Sequence, residues 1–211
     1  MKNLLFVVLI GLVTVGQVYA VPIGGIEFPD GPVSFADAVV SYSPGSDVGS
    51  GWNNPNDALG VPNFSGSSNA TSLGEGGELI LRFTDNSLTT SGDASEDLWI
   101  FETGAATEWF NVAISEDNVL YIDLGDVLGQ PTGIDIDAIP GVVAGNRYSY
   151  VRLRDIPPDQ TSFPYGEADI DAVGAISSAP PASIPEPTTL VLMGLGLAGI
   201  GYQRRRSKKA A

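Results

Sequence analysis

Carboxylates dominate the chemistry this sequence could do. Of its 211 residues, 25 are Asp or Glu, 10 are Lys or Arg, and none is His or Cys. Two Asp-x-Asp pairs stand out, Asp135 with Asp137 and Asp169 with Asp171. On an extended strand, residues two apart share one face at roughly 7 Å. Each pair would then repel itself unless a cation lies near. Ca2+ is one such cation, since it takes carboxylate and carbonyl oxygens. Arginine is the other. Arg152 and Arg154 also share a strand face. If segments 148–155 and 168–176 are antiparallel neighbours, the two arginines face Asp169 and Asp171 across the ladder. That structural pairing is the preferred reading for Asp169 and Asp171. Asp57, beside Asn53, Asn54 and Asn56 in a Gly/Pro loop, adds another oxygen-rich candidate for Ca2+.

Catalysis has few routes open to it. Without His or Cys there is no Ser-His-Asp triad, thiol nucleophile, disulfide, zinc finger or iron–sulfur ligation. Glycoside hydrolysis needs only two acids at a suitable separation, and Glu75, Glu78, Glu102 and Glu108 are available. With so many acids some pair always looks suitable, so solvated surface acids are the preferred reading and no catalytic residue is assigned. Gly74-Glu75-Gly76-Gly77 lacks the Lys and Ser/Thr of a phosphate loop, and Glu75 would repel phosphate. Trp99 lies in an apolar run and reads as core. Trp109 should face outward or into a second layer. Trp52 sits in a polar loop, where an exposed ring would suit stacking on a sugar, and it is the candidate ligand contact.

The elements that must position these groups read as strands. Glu78 to Phe83 alternates, with Leu79, Leu81 and Phe83 on one face. Phe110 to Ile114 and Tyr148 to Asp155 alternate likewise, the latter with Val151 and Leu153 opposite Arg152 and Arg154. Ile170, Ala172, Gly174 and Ile176 should line one face of a last strand. Asp97 to Glu102 is more continuous and suits burial on both sides. Phe35 to Val40 is a candidate first strand. Gly, Asn, Asp and Pro clusters punctuate these runs, and no segment sustains a 3.6-residue period. The expected fold is all-β, a jelly-roll-like β-sandwich over residues 21–176. Residues 177–187, SSAPPASIPEP, form an extended Pro-rich linker.

Both ends read as addressing segments. Lys2, the apolar run Leu4 to Val15 and Val18-Tyr19-Ala20 make residues 1–20 a signal peptide cut by signal peptidase after Ala20. Residues 188–203 form a short apolar transmembrane helix, followed by the basic tail 204–211 with Arg204, Arg205 and Arg206. The thirteen residues from Leu190 to Tyr202 rise only about 20 Å as a helix, against a hydrocarbon core of about 30 Å. The span is therefore a weak anchor, oriented by the basic cluster on the cytoplasmic side. Between residues 21 and 184 only Arg82, Arg147, Arg152 and Arg154 oppose 24 acids. Such a segment repels nucleic acid and attracts divalent cations.

The order Pro185-Glu186-Pro187, a Gly-rich apolar helix and an Arg cluster resembles the PEP-CTERM sorting signal of Gram-negative bacteria. The resemblance implies an exported precursor, held in the membrane and cut near Pro185-Glu186-Pro187 by an exosortase, a membrane cysteine protease. It also implies a cell-surface or extracellular product, in bacteria that make exopolysaccharide. A second set of segments runs from Ala58-Leu59-Gly60 through Ser72 to Phe83, Asp97 to Glu102, Tyr150 to Asp155 and Ala168 to Ile176. It resembles bacterial surface domains similar in pattern to discoidin-like, galactose-binding-like jelly rolls. Glu108 to Asp117 resembles the family hairpin Ser-x-Asp-Gly, with Asn118 in place of the Gly. Together the resemblances imply a non-catalytic exported protein that binds or organises extracellular polysaccharide. A carboxylate-dependent hydrolase and a matrix component without a specific ligand are the alternatives.

Overall fold

The computed structural model describes residues 21–66, 69–156 and 167–181. The signal segment 1–20, the motif at Pro185-Glu186-Pro187, the apolar segment 188–203 and the basic tail lie outside the described residues. Among those described, no helix is long and apolar enough to cross a membrane.

The strands follow from alternation. β1 (Val21–Ile23) and β2 (Ile26–Phe28) form a hairpin. β3 (Ala38–Ser43), β4 (Thr71–Ser72), β5 (Glu78–Arg82), β6 (Ser87–Leu88) and β7 (Leu98–Thr103) come next. β8 (Trp109–Ser115), β9 (Ile122–Leu128), β10 (Thr132–Ile134), β11 (Tyr150–Asp155), β12 (Asp169–Ala175) and β13 (Ser178–Ala179) complete the set. β3-β5-β11-β8-β9 make one antiparallel sheet and β10-β7-β12-β4 another. One face of each sheet supplies a shared core. Leu79 and Leu81 on β5, Phe110, Val112 and Ile114 on β8, and Val151 and Leu153 on β11 meet Leu98 and Ile100 on β7 and Ile170 and Val173 on β12. Each fully buried side chain of this size contributes about 1.5–3 kcal/mol of transfer free energy. The all-β sandwich expectation holds at this level.

A second cluster lies on the opposite face of β7 and β12. Phe28, Phe35, Phe101 and Ala172 are buried there, with Ile23, Ile26 and Trp99 packed against them. The β1–β2 hairpin and the 3-10 turn Gly31–Ser34 thus cap the four-stranded sheet with a third layer. β7 is buried on both faces for this reason, as its continuous apolar run predicted, and Trp99 joins the second cluster. The first strand is the hairpin at Val21, not Phe35 to Val40. Phe35 itself packs at 4.6 Å, centroid to centroid, on Phe28.

Two expectations fail on register. β12 carries a bulge between Ile170 and Ala172. It shifts the alternation by one residue, so Ile170, Val173 and Ala175 face the main core while Ala172 and Ile176 face the second cluster. Gly174 faces the aromatics, and a Cβ there would sit 2.7 Å from the Phe28 ring. Strands β11 and β12 lie in different sheets, so Arg152 and Arg154 cannot face Asp169 and Asp171. Arg154 is directly opposite Glu78 in the β11–β5 register. It donates to Glu78 at 2.6 Å, and Arg152 lies 3.9 Å from the same oxygen and over the Tyr121 ring. The β structure also continues past residue 176, where β13 pairs with β6 inside the segment read as linker.

Candidate functional site

Two carboxylate groups form at the two ends of β7. Glu102 follows Leu98 and Ile100 in the alternation, so it points between the sheets near the C-terminal end of the strand. Glu108 stands one residue before β8, Asp155 ends β11 and Asp169 begins β12. Glu102 is 4% exposed and Glu108 3%. Burial pushes the Glu102 carboxyl up to about 9, reinforced by the Glu108 charge and by sharing a hydrogen bond with it. Burial also lifts Glu108 to about 7, with Asp169 and Asp155 adding to the rise and the Glu102 hydrogen bond opposing it. Asp169 is raised to about 6 by burial, which the Ser72 hydroxyl partly offsets. Tyr42, half-buried and beside Asp169, is pushed by that burial to about 12 and donates its hydroxyl to the Ser72 carbonyl at 2.6 Å. Like charges at contact in a dry site cannot both ionise. The Glu102–Glu108 pair therefore holds a proton at neutral pH.

The other group lies at the N-terminal end of β7. A carboxylate oxygen from each of Asp97, Asp135 and Asp137 lies within 4.8 Å of the other two. Asp97 is fully buried, Asp135 half-buried and Asp137 exposed. Asp135 and Asp137 stand in the turn after β10 rather than on a strand. Their carboxylates are held from the backbone. Asp135 Oδ1 accepts the Asp137 N–H at 2.9 Å. Asp137 Oδ2 accepts the Gly92 N–H at 3.0 Å and the Ser91 hydroxyl at 3.1 Å. Asp97 Oδ2 accepts the Ile136 N–H at 3.0 Å.

The remaining candidates separate. The β12 bulge sends Asp171 towards the loop before β4, where it accepts the N–H groups of Asn63 at 2.9 Å and Phe64 at 3.2 Å. Burial raises its carboxyl and those two N–H groups pull it back. Asp169 lies instead beside Ser72 and the glutamates. Asp57 accepts the Asn54 side-chain amide at 2.7 Å in the 3-10 turn Pro55–Ala58. Asp57, Asp135 with Asp137, Asp169 and Asp171 thus occupy separate surroundings. Trp52 is half-buried rather than fully exposed. Its ring lies 5.9 Å from Phe64, and its carbonyl accepts the Ser72 N–H at 2.8 Å. Trp109 is 47% exposed, facing outward as its alternation predicted. Glu75 accepts the Ser46 hydroxyl at 3.0 Å and Glu78 holds the arginines, so neither joins Glu102 and Glu108.

Asp97 escaped the sequence reading as a metal candidate because it looked like the start of an apolar strand. The signal was there in outline: a carboxylate bordering a run buried on both faces has nowhere to put its charge except a specific partner. The pairing of Glu102 with Glu108 likewise needed the fold, since five residues of turn return the chain from one sheet to the other.

The protein-family description "PEP-CTERM protein-sorting motif" matches residues 183–206. The match covers the sorting segment, including Pro185-Glu186-Pro187 and Arg204-Arg205-Arg206. Its presence marks an exported protein of Gram-negative type that an exosortase processes. No curated protein matches the chain.

Proposed function

We propose that this chain is an exported surface or matrix protein whose β-sandwich, freed from both termini, binds or organises extracellular polysaccharide without catalysis. The sorting motif at 183–206 carries the reading. Signal peptidase removes residues 1–20, the segment 188–203 holds the precursor in the membrane, and the exosortase releases it near Pro185-Glu186-Pro187. Cleavage near residue 185 leaves β13 complete.

The polysaccharide reading is supported by the Trp52–Phe64 pair. An aromatic face stacks on the apolar face of a sugar ring, and side-chain amides offer paired donors and acceptors to hydroxyls. Asn53 and Asn63 are exposed and adjoin the two rings in sequence. Two measurements test the proposal. In cells lacking the exosortase the protein should stay in the membrane fraction, and release unchanged by that loss would refute the sorting step. Co-sedimentation with the producer's purified exopolysaccharide should weaken about tenfold on Trp52→Ala, the scale of one stacking contact of about 1–1.5 kcal/mol. Depolymerisation of the polymer, lost on Glu102→Gln, would instead establish the enzyme.

A further inference from the structure

We propose that Asp97, Asp135 and Asp137 form a Ca2+ site that ties the start of β7 to the turn after β10. Three carboxylate oxygens within 4.8 Å of one another are the first observation. The second is independent of the clustering. Asp97 is fully buried, its Oδ2 is satisfied by the Ile136 N–H, and its Oδ1 makes no hydrogen bond. An unsatisfied carboxylate oxygen in a buried site is strongly unfavourable unless a cation or proton meets it. The arginines are committed elsewhere: Arg152 and Arg154 to Glu78, Arg82 over Tyr150, and Arg147 to the Pro181 carbonyl at 3.3 Å.

The donor chemistry selects the ion: Ca2+ takes about six to eight oxygens in flexible geometry, whereas Mg2+ demands a near-ideal octahedron. The donors are all oxygen and sit in irregular backbone, which suits the more permissive ion. Burial is graded from Asp97 inward to Asp137 at the surface, so the ion can enter and keep waters on its outer side. The backbone holds the carboxylates in place beforehand: Asp137 through Gly92 and Ser91, Asp135 through the Asp137 N–H, and Asp97 through Ile136. Burial and the nearby Asp137 charge raise the Asp97 carboxyl, while Ser177, Ile136 and Ser91 oppose the rise; a bound divalent cation would reverse that balance.

The consequence lies in what the site joins. The Asp97 N–H donates to the Ile134 carbonyl at 2.9 Å, and the Asp97 carbonyl accepts the Ile176 N–H at 2.7 Å. Ile176 leads straight into β13, whose Ser178 hydroxyl donates to Asp30 at 2.6 Å. An ion at Asp97 therefore stiffens the end of the sandwich from which the chain leaves towards residue 183. The inference uses residues 91–137 and does not depend on the polysaccharide or sorting readings.

The test is calorimetric titration of the full chain in detergent, stripped with a chelator, using Ca2+ alone and then Mg2+ alone. Expected are one Ca2+ per chain, with a Kd in the 0.1–1 mM range of about that of extracellular Ca2+ modules, a raised melting temperature, and weaker binding of Mg2+. Asp135→Asn with Asp137→Asn should weaken Ca2+ binding at least about tenfold, because Asn keeps the acceptor oxygen and loses the charge. If that double variant misfolds by circular dichroism, Asp137→Asn alone serves, since its side chain is exposed. No heat and no melting shift up to about 10 mM Ca2+, or binding unchanged in the folded variant, would overturn the site.

Discussion

Glu102 is the residue on which the chemistry of the sandwich turns. It and Glu108 bind protons more tightly folded than unfolded, since burial lifts them from 4.5 to about 9 and about 7. Below about pH 4.5 both states hold the protons and nothing is lost. As pH rises through 7 towards 9, the folded state must keep a proton that solvent would take, or bury a second charge, so stability falls. Melting temperature measured from pH 5 to 9 should therefore decline. Glu102→Gln should flatten the decline and raise stability at pH 9; an equally steep decline in that variant would show that other groups control it. The residues of this nest were legible only as names. Glu102 and Glu108 are two ordinary acids among 25, and their meaning comes from contacts that no spacing along the chain encodes, whereas the spacing of Asp135 and Asp137 already marked that pair. Arg154 illustrates the limit, for it had several acids to choose from and the register placed Glu78 opposite it.

The elements were more legible where alternation was clean and long. Leu79, Leu81 and Phe83 are buried as their spacing predicted, and so are Phe110, Val112, Ile114, Val151 and Leu153. The β1–β2 hairpin was missed because each strand has three residues, too few to show a period. The β12 bulge was missed because Ile, Ala, Val and Gly all suit either face, so the pattern carries no phase. Asn118 took the tight turn expected of it, with φ 63°, and the Ser115 hydroxyl accepts the N–H groups of Asp117 and Asn118 at 3.2 and 3.0 Å. Two substitutions test the layers. Phe28→Ala, which empties the centre of the outer aromatic cluster, should cost about 3–5 kcal/mol in denaturant unfolding. Gly77→Ala places a Cβ 1.8 Å from the Leu73 carbonyl oxygen and 2.6 Å from the Gly45 nitrogen. Backbone must move to admit it, so a loss of about 1–3 kcal/mol is expected. A neutral Phe28→Ala would mean that the hairpin does not hold the outer face of the sheet.

At the scale of the whole molecule, a strongly acidic sandwich lies between two apolar, basic-tipped ends. Four arginines against 24 acids keep the middle segment soluble and self-repelling, and favour divalent cations around it. The sorting segment was the most legible part of the chain. Its message is written in order and composition, which a receptor reads without a folded context, and residues 183–206 carry it. The measurement that bears most directly on the account is the intact mass of the protein recovered outside its own cells. The account predicts a chain that starts at Val21 and stops near Pro185-Glu186-Pro187, and a longer membrane-held species when the exosortase is absent. A full-length polypeptide in the cytosol, with both ends intact, would contradict it.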